Sequence, residues 1–432
     1  MTTETGLPLL QAIRQLTPAQ DAAAGQRAQA MASLQDVGLP RRGLETWKYS
    51  PVQLWQDVEW TPSLHFSPPA LTAEQKAEIQ TQLAPGMTHL VFVNGHFQKE
   101  LSSPLPPGLK VVTGTGEPTD YALAARQGWQ QQQQVQEWWK NSYSLHETSM
   151  GLLNMAGYGQ GAVLEVAPET LIAQPVALHF QSGAGQLVQP RLQISVGAGS
   201  SVSFLENYFG SSSSMTNVAT HLQLADSAKV QCLRWMQAGK SSFHYGESIA
   251  VLAANSHLQS LSMQTGGRWS RHFLSVFHQG PDSFSKIDGI YWARGEQQIE
   301  NYTNIEHLVG RCQSEQVYKG ILADKSRGVF AGRVHIGKGA ALASSSQLNQ
   351  TLLMSSDAEM DSKPQLEIDA DDVKATHGST VGQLSAEEVF YLQSRAIDAV
   401  TAKQILAEGF VTGLLTEFPQ ATLRQWALQR FV

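Results

Sequence analysis

The sequence predicts a mainly β protein in which a stacked β-coil, or solenoid, lies between helical ends. Three observations carry that reading. From about residue 161 to residue 384 the chain consists of short β-rich runs broken by clusters of Gly, Ser, Ala and Asp. Four of these runs align, each with a small turn-forming cluster leading into an apolar residue, and their anchors Val202, Val230, Leu258 and Phe284 are 28, 28 and 26 residues apart; Leu342, after Gly337-Lys338-Gly339, follows 58 residues later. A near-constant step suits a coil whose inward side chains are buried only against neighbouring coils. The residues alone leave a β-sandwich with evenly spaced strands as the alternative. The third observation is the helical periodicity on either side of this region.

Taken in order, Leu9, Leu10, Ile13 and Leu16 keep helical spacing, and Ala22 to Met31 is rich in strong helix formers. Gly and Pro then interrupt the helix across Gly38 to Pro51, where Trp47 and Tyr49 sit among charges, so an ordered, packed linker is expected. A second helix is predicted over Thr72 to Gln82. His89 to Phe97 reads as strand and turn, because Asn94-Gly95 between β-formers is a hairpin signal. Gln130 to Gln134 lies in a helical stretch that ends near Trp138-Trp139. These features define an N-terminal, largely helical region over 1–160, a solenoid core over 161–384 and a helical C-terminal region over 385–432.

The core ends in an irregularity. Leu366, Ile368 and Ala370 share one parity, but after Asp371-Asp372 the apolar residues are Val373 and Ala375, which reads as a β-bulge. His377 then falls on the face of Val373 and Ala375, where an imidazole needs a partner. The last coil also offers an unpaired strand, to be capped, charged or used for pairing with another chain. Ser385-Ala386-Glu387-Glu388 fits a capping box for a first C-terminal helix. A second starts at Asp398 and runs through Gly409, Phe410 and Gly413, and a third follows Pro419. Gly409 and Gly413 share a face that would admit another helix closely, although each lowers helix stability by about 1 kcal/mol. The three helices are expected to pack together and offer one face to a partner.

Composition narrows the function. The chain has 432 residues, 42% hydrophobic and 16% charged, with a net charge of −7 and no dense basic cluster, which argues against nucleic acid as a partner. No apolar run reaches the roughly 18 residues of a membrane span, and Met1 to Gly6 lacks the early base of a secretory signal, so a cytoplasmic location is expected. Cys232 and Cys312 are the only cysteines and read as small buried hydrophobes. There is no Lys-Ser/Thr phosphate loop, G-x-S-x-G elbow or H-E-x-x-H pair, so no catalytic residue is assigned. Gly157-Tyr158-Gly159-Gln160-Gly161 reads as a turn, not a phosphate cradle, since no capped helix follows. The thirteen histidines do not cluster along the chain, and the six-residue spacing of His272 and His278 suits no chelating pair. Asp369, Asp371, Asp372 and Lys374 raise the rival reading of a carbohydrate-active β-helix; a charged edge that discourages random strand pairing is the alternative account.

Several stretches resemble the SufB/SufD family of iron–sulfur cluster assembly: Tyr318-Lys319-Gly320, Phe330-Ala331-Gly332, Lys363 to Ile368, Asp371 to Lys374, Thr376-His377-Gly378-Ser379-Thr380-Val381-Gly382, Phe390 to Arg395 and, upstream, Trp47-Lys48-Tyr49-Ser50-Pro51. His377-Gly378, with the lack of a Cys in Leu348 to Leu353, puts the likeness on the SufD side. The resemblance implies a right-handed parallel β-helix between helical regions, a non-catalytic scaffold subunit, pairing with a SufB-like paralogue, and docking of a SufC-like ABC ATPase on the C-terminal helices, where Tyr391, Arg395, Gly409 and Phe410 are the candidates. It also implies that His377 lies at the SufB interface and helps to hold iron of a nascent iron–sulfur cluster, as a metal site shared with SufB. Many sequences on the SufD side have Cys two residues before this His, where this chain has Ala375. No cofactor is expected on the chain alone; whether flavin binds the complex, and whether the chain forms a homodimer without SufB, are left open by the residues.

Overall fold

A computed structural model describes Leu9 and residues 24–63, 70–113, 149–157, 160–210 and 213–431. The helical stretch expected around Gln130 to Trp139, most of the first N-terminal helix, and Tyr158-Gly159 of the glycine-rich turn lie outside the described residues. The core is a β-solenoid of about 8 turns with helices at both termini. Successive strands alternate between two sheets, and each pairs in parallel with the strand two further on, so neither sheet contains the hairpin pairing of an antiparallel sandwich along the coil. Antiparallel pairing occurs only upstream among the described residues. His96–Phe97 folds back on Thr88–Val93 through Asn94 and Gly95, both at positive φ as a type I′ turn requires, and Leu109–Thr113 runs against Gln160–Val166. Thr88–Val93 and Leu109–Thr113 thus extend the two sheets, and strand pairing begins before residue 160.

Register corrects two of the repeat anchors. The equivalent inward positions are Val202, Val230, Leu258, Ser285, Ser314, Ser345 and Ala375, a step of 27 to 31 residues. Phe284 aligns with His257 instead of Leu258, because the inward site is taken by a serine that bonds a buried histidine, Ser285 Oγ to His278 Nε2 at 2.9 Å. Leu342 is no strand anchor either: it is exposed in the corner before Ser344–Leu353, at φ 62°.

That corner is a repeated device. Gly199, Ser227, Asn255, Asp282, Arg311, Leu342 and Asp372 all have φ between 53° and 67°. Backbone bonds link successive corners, for example Ser227 N–H to the Ala254 carbonyl and Leu342 N–H to the Asp372 carbonyl, at 2.9 and 2.8 Å. Left-handed backbone costs an L-residue roughly 1–2 kcal/mol, most of all where no short polar side chain can bond locally. Leu342→Gly removes that strain but loosens the unfolded chain. The expected net gain of about 0.5–1 kcal/mol would appear as a higher urea midpoint; a fall would contradict the corner assignment.

The parity slip at Asp371-Asp372 is therefore not a bulge. Glu359–Ile368 and Lys374–Gln383 are strands of different sheets, and residues 369–373 form the corner between them.

The terminal regions wrap the coil. Helix α1 spans Ala24–Val37, α2 Gln53–Gln56, α3 Ala73–Gln82 and α4 Ser149–Gly157; α5 covers Ala386–Gln393, α6 Ala399–Thr416 and α7 Ala421–Phe431. The expected linker is packed as a strap: Trp47 is buried against Tyr245 and Trp269, and Trp55 stacks on Trp269 at 5.8 Å. Arg271 lies beneath it, its guanidinium 3.9 Å from the Trp47 ring and 3.7 Å from the Tyr302 ring. Its Nη1 donates to the Thr46 carbonyl at 2.6 Å, and Glu300 Oε2 is 3.3 Å away.

At the other end, α6 and α7 cover the outer face of one sheet: Val411, Leu414, Leu415 and Trp426 pack with Leu233, Trp235, Met263 and Ile290. The C-terminal helices touch one another in succession, α5 on α6 and α6 on α7, and α6 and α7 also bury a face on the coil. Ser385 Oγ accepts from Glu388 N–H at 3.4 Å, but the reciprocal capping box is completed at Thr72 and Gln75 of α3. Asp398 caps α6 through Val400 and Thr401 N–H groups, both at 3.0 Å.

Candidate functional site

Among the described residues no turn covers the coil after Lys374–Gln383. Each sheet ends here, one on this strand and the other on Glu359–Ile368, leaving two ten-residue free edges and the inside of the final turn open. The consequence is visible position by position. Ile336 and Thr351 are 0% and 3% exposed, whereas their register partners Ile368 and Val381, one turn later, are 46% and 48% exposed. His377 follows the same rule: it pairs in register with buried Gln347 and shares the inward parity of Ala375, but it is exposed. No hydrogen bond joins its ring to a described residue. The partner expected for this imidazole is not supplied from within the described chain.

Its surroundings are polar on one side and apolar on the other. Ser379 and Ser362 hydroxyls meet at 2.7 Å across the mouth, while Ala375 packs half-buried near Val334 and Ile336. On the outer face Arg333 bonds both Glu306 and Glu367, and His335 Nδ1 lies 2.6 Å from Glu306 Oε2. Burial is slight at Glu367, and the Arg333 hydrogen bond holds its carboxyl below the ordinary value. Asp369, Asp371, Asp372 and Lys374 occupy the exposed corner, where Asp369 bonds His335 at 3.3 Å.

The candidate docking residues divide. No residue of α5 is buried, Phe390 and Tyr391 are 70% and 56% exposed, and the Arg395 guanidinium lies 4.6 Å over the Tyr391 ring. Val400 and Ile405 continue this exposed apolar character along α6. Gly409 and Gly413 face open space, with nothing within 4 Å of a Cβ at either position. Phe410 is half-buried against the chain's own coil, and its carbonyl accepts from Lys319 Nζ at 2.9 Å.

Residues 179–410, which hold all five candidates, match the family described as SUF system FeS cluster assembly, SufBD core domain. This chain belongs to the SufBD family. Among similar SufBD proteins are SufD of Escherichia coli, 28% identical over 94% of this chain and 91% of the relative, and an iron–sulfur cluster assembly SufBD family protein of Synechocystis, 27% identical over 90% and 86%. ABCI7 of Arabidopsis thaliana, a chloroplastic protein, is 27% identical over 62% of this chain and 60% of its own length. These likenesses support a SufD-type member, in line with the resemblance carried by His377-Gly378 and Trp47 to Pro51.

The interior of this SufBD coil also holds polar groups that residue spacing did not reveal. His272 and His278 remain unpaired with each other, but His278 stacks on His307, one turn later, with ring centroids 4.6 Å apart and planes at 5°. Cys312 is buried beside them. The signal was present as a coil step, since His278 and His307 become neighbours only once the register is known. Elsewhere, His179 bonds His89 at 3.0 Å, and His244 Nε2 accepts from Arg234.

Burial pushes His179 down to about 3 and His307 to about 4, and depresses His244, His272 and His278 well below the usual imidazole value. Burial also raises Glu247 and Asp288 to about 7. The histidines contribute stability above their unfolded value near 6.5 and lose it as pH falls toward their folded values. The carboxylates act oppositely, favouring the fold at low pH and losing that contribution as pH rises toward about 7. Because the histidines outnumber them, the urea midpoint is expected to fall between pH 6.5 and 5; a midpoint that rises across this window would show that the imidazoles are not buried in neutral form.

Proposed function

We propose that this chain is a scaffold subunit that pairs with a SufB-like paralogue across the open turn at Lys374–Gln383 and binds a SufC-like ABC ATPase through the exposed face of α5 and the start of α6. The observation that carries the reading is the loss of cover between Ile336 and Ile368 and between Thr351 and Val381: inward positions of one repeat are buried and those of the next are not. A second chain laid on the free edges would bury them and satisfy the unpaired backbone groups. His377, at the same mouth, would contribute an imidazole to iron held as cargo between the two chains, while the thiols for sulfur come from the partner. The chain itself needs no catalytic residue for this role, and a cytoplasmic setting suits it. Among the described residues no helix is long and apolar enough to cross a membrane.

Nucleotide-driven approach of two ATPase subunits would act on α5 and α6, and an arrangement of the tails that the closed ATPase binds better would be selected. Because α6 is fixed to the coil by Val411 and Leu415, movement at α5 would be transmitted to the scaffold.

The test is co-purification of the chain with SufB-like and SufC-like partners, followed by cluster formation in the reconstituted complex. His377→Ala is exposed, so stability should change by less than about 0.5 kcal/mol while cluster yield drops; unchanged yield would remove the ligand role. Phe390→Asp should release the ATPase and leave the paralogue bound; retained ATPase would move docking away from α5. Recovery of a homodimer that excludes the paralogue would overturn the pairing.

A further inference from the structure

We propose that His278, His307 and Cys312 form a binding site for a divalent cation of the zinc class inside one corner of the solenoid. The three side chains come from two consecutive turns, His278 from one and His307 and Cys312 from the next, and are 0% exposed. Their ligand atoms all lie within 4.8 Å of one another. Ser283 sits among them: its hydroxyl is 2.8 Å from His278 Nδ1 and donates to Cys312 Sγ at 3.4 Å. His307 Nε2 is held by the Ser314 hydroxyl at 2.9 Å, but His307 Nδ1 is buried with no hydrogen-bond partner among the described residues.

His221 Nε2 and His272 Nδ1 are likewise without a described partner, but only the His307 nitrogen meets a second imidazole and a thiol among the described residues. The serines at 283, 285 and 314 would have met the needs of a structural ladder with hydroxyls alone. Two nitrogens and one sulfur form a borderline-soft donor set, which favours zinc or cobalt over magnesium or calcium. Binding would release the Cys312 thiol proton to solvent, form one metal–thiolate and two metal–imidazole bonds, and leave the fourth position to water.

Zn–N and Zn–S bonds of about 2.0 and 2.3 Å require the donors to draw inward by roughly 1 Å. The two rings are stacked with their planes at 5°, so one must turn for both to ligate a single ion. His307, held by a single hydrogen bond, is free to do so, and the Ser283 hydroxyl can rotate away from His278. The corner backbone above the site is thin: Asp282 and Arg311, paired at 2.7 Å, are its exposed cover. This site is separate from the open turn at His377, and the proposal stands whether or not the pairing at that turn is correct.

The experiment titrates the chelator-treated full-length chain with Co2+ and then Zn2+. One equivalent of Co2+ should give visible d–d bands of a tetrahedral ion and a near-ultraviolet thiolate charge-transfer band, both lost on adding Zn2+. Cys312→Ser should abolish the charge-transfer band. Serine is tolerated there, since Ser200, Ser256 and Ser283 occupy the equivalent place after the left-handed corner residue in other turns. His307→Asn should weaken binding by more than the roughly 10–100-fold that loss of an outer partner costs. Cys232→Ser should leave the spectrum unchanged. Zinc should also raise the thermal midpoint of the unaltered chain and not of Cys312→Ser. Absence of the bands, bands that follow Cys232, or an equal thermal shift in Cys312→Ser would each overturn the proposal.

Discussion

Arg271→Ala is expected to destabilise the protein by about 3–5 kcal/mol, the usual cost of breaking a buried ion pair by removing one partner. Glu300 is 0% exposed and surrounded by donors, with Trp269 Nε1 at 2.7 Å, Gln298 Nε2 at 2.9 Å and the Ser50 hydroxyl at 2.6 Å. Removing Arg271 takes away its only cation among the described residues and opens a gap between Trp47 and Tyr302. The strap at Glu45–Gln56 loses the bond from Arg271 to the Thr46 carbonyl as well. A lower urea midpoint should therefore be accompanied by new proteolytic cleavage within residues 41–57. Arg271→Lys should recover only part of the loss, because an ammonium keeps the charge but cannot stack as a plane between two rings. A shift below about 1 kcal/mol would mean that packing of Trp47 and Trp55, not the ion pair, fixes the strap.

Trp426→Ala is expected to cost about 3–5 kcal/mol by cavity formation. The indole is buried, meets Trp235 edge to face at 5.6 Å, and donates to the Gln82 carbonyl at 3.2 Å; Arg430 lies 4.4 Å over its ring. This one side chain joins α7, the end of α3 and the coil, so its loss should free the C-terminal helices from the scaffold. The functional consequence differs from that of Phe390→Asp. With Trp426→Ala the ATPase should still bind, but its nucleotide state should no longer alter the scaffold, measured as hydrogen exchange in Lys374–Gln383 within the reconstituted complex. Exchange there that still follows the nucleotide state would show that coupling takes another route.

The sequence was informative wherever a local rule acts alone. Asn94-Gly95 specified its hairpin because few residues tolerate two positive φ angles in succession. Thr72 and Asp398 specified helix starts because their side chains accept backbone N–H groups within three residues. The recurring turn clusters were legible as a solenoid because each turn must repeat its corner. Register was not legible from apolar residues alone. Aligning on Phe284 and Leu342 failed because the inward position there is a serine serving a histidine, and because an apolar residue can occupy a strained, exposed corner. The bulge inferred at Asp371-Asp372 failed for a related reason: a parity change looks the same whether a strand is distorted or the chain has turned into the other sheet.

The candidate site divides along the same line. That His377 faces inward followed from strand parity. That it is exposed did not, since exposure depends on the absence of a turn beyond it in the fold. Likewise, α5 and α6 were predictable as helices, but only packing against Trp235 and Met263 decided that α6 and α7 serve the chain's own core while α5 is left open. By itself the sequence determined the repeating coil, the helical ends, the family likeness and the parity of His377, all set by neighbours in the chain or by residue patterns. Tertiary structure decided the stacking of His278 on His307, the burial of Arg271 under Trp47, and the bare final turn. These depend on which residues meet after 27 to 31 intervening steps or more, and a meeting across a coil is governed by register, which no short stretch of sequence contains.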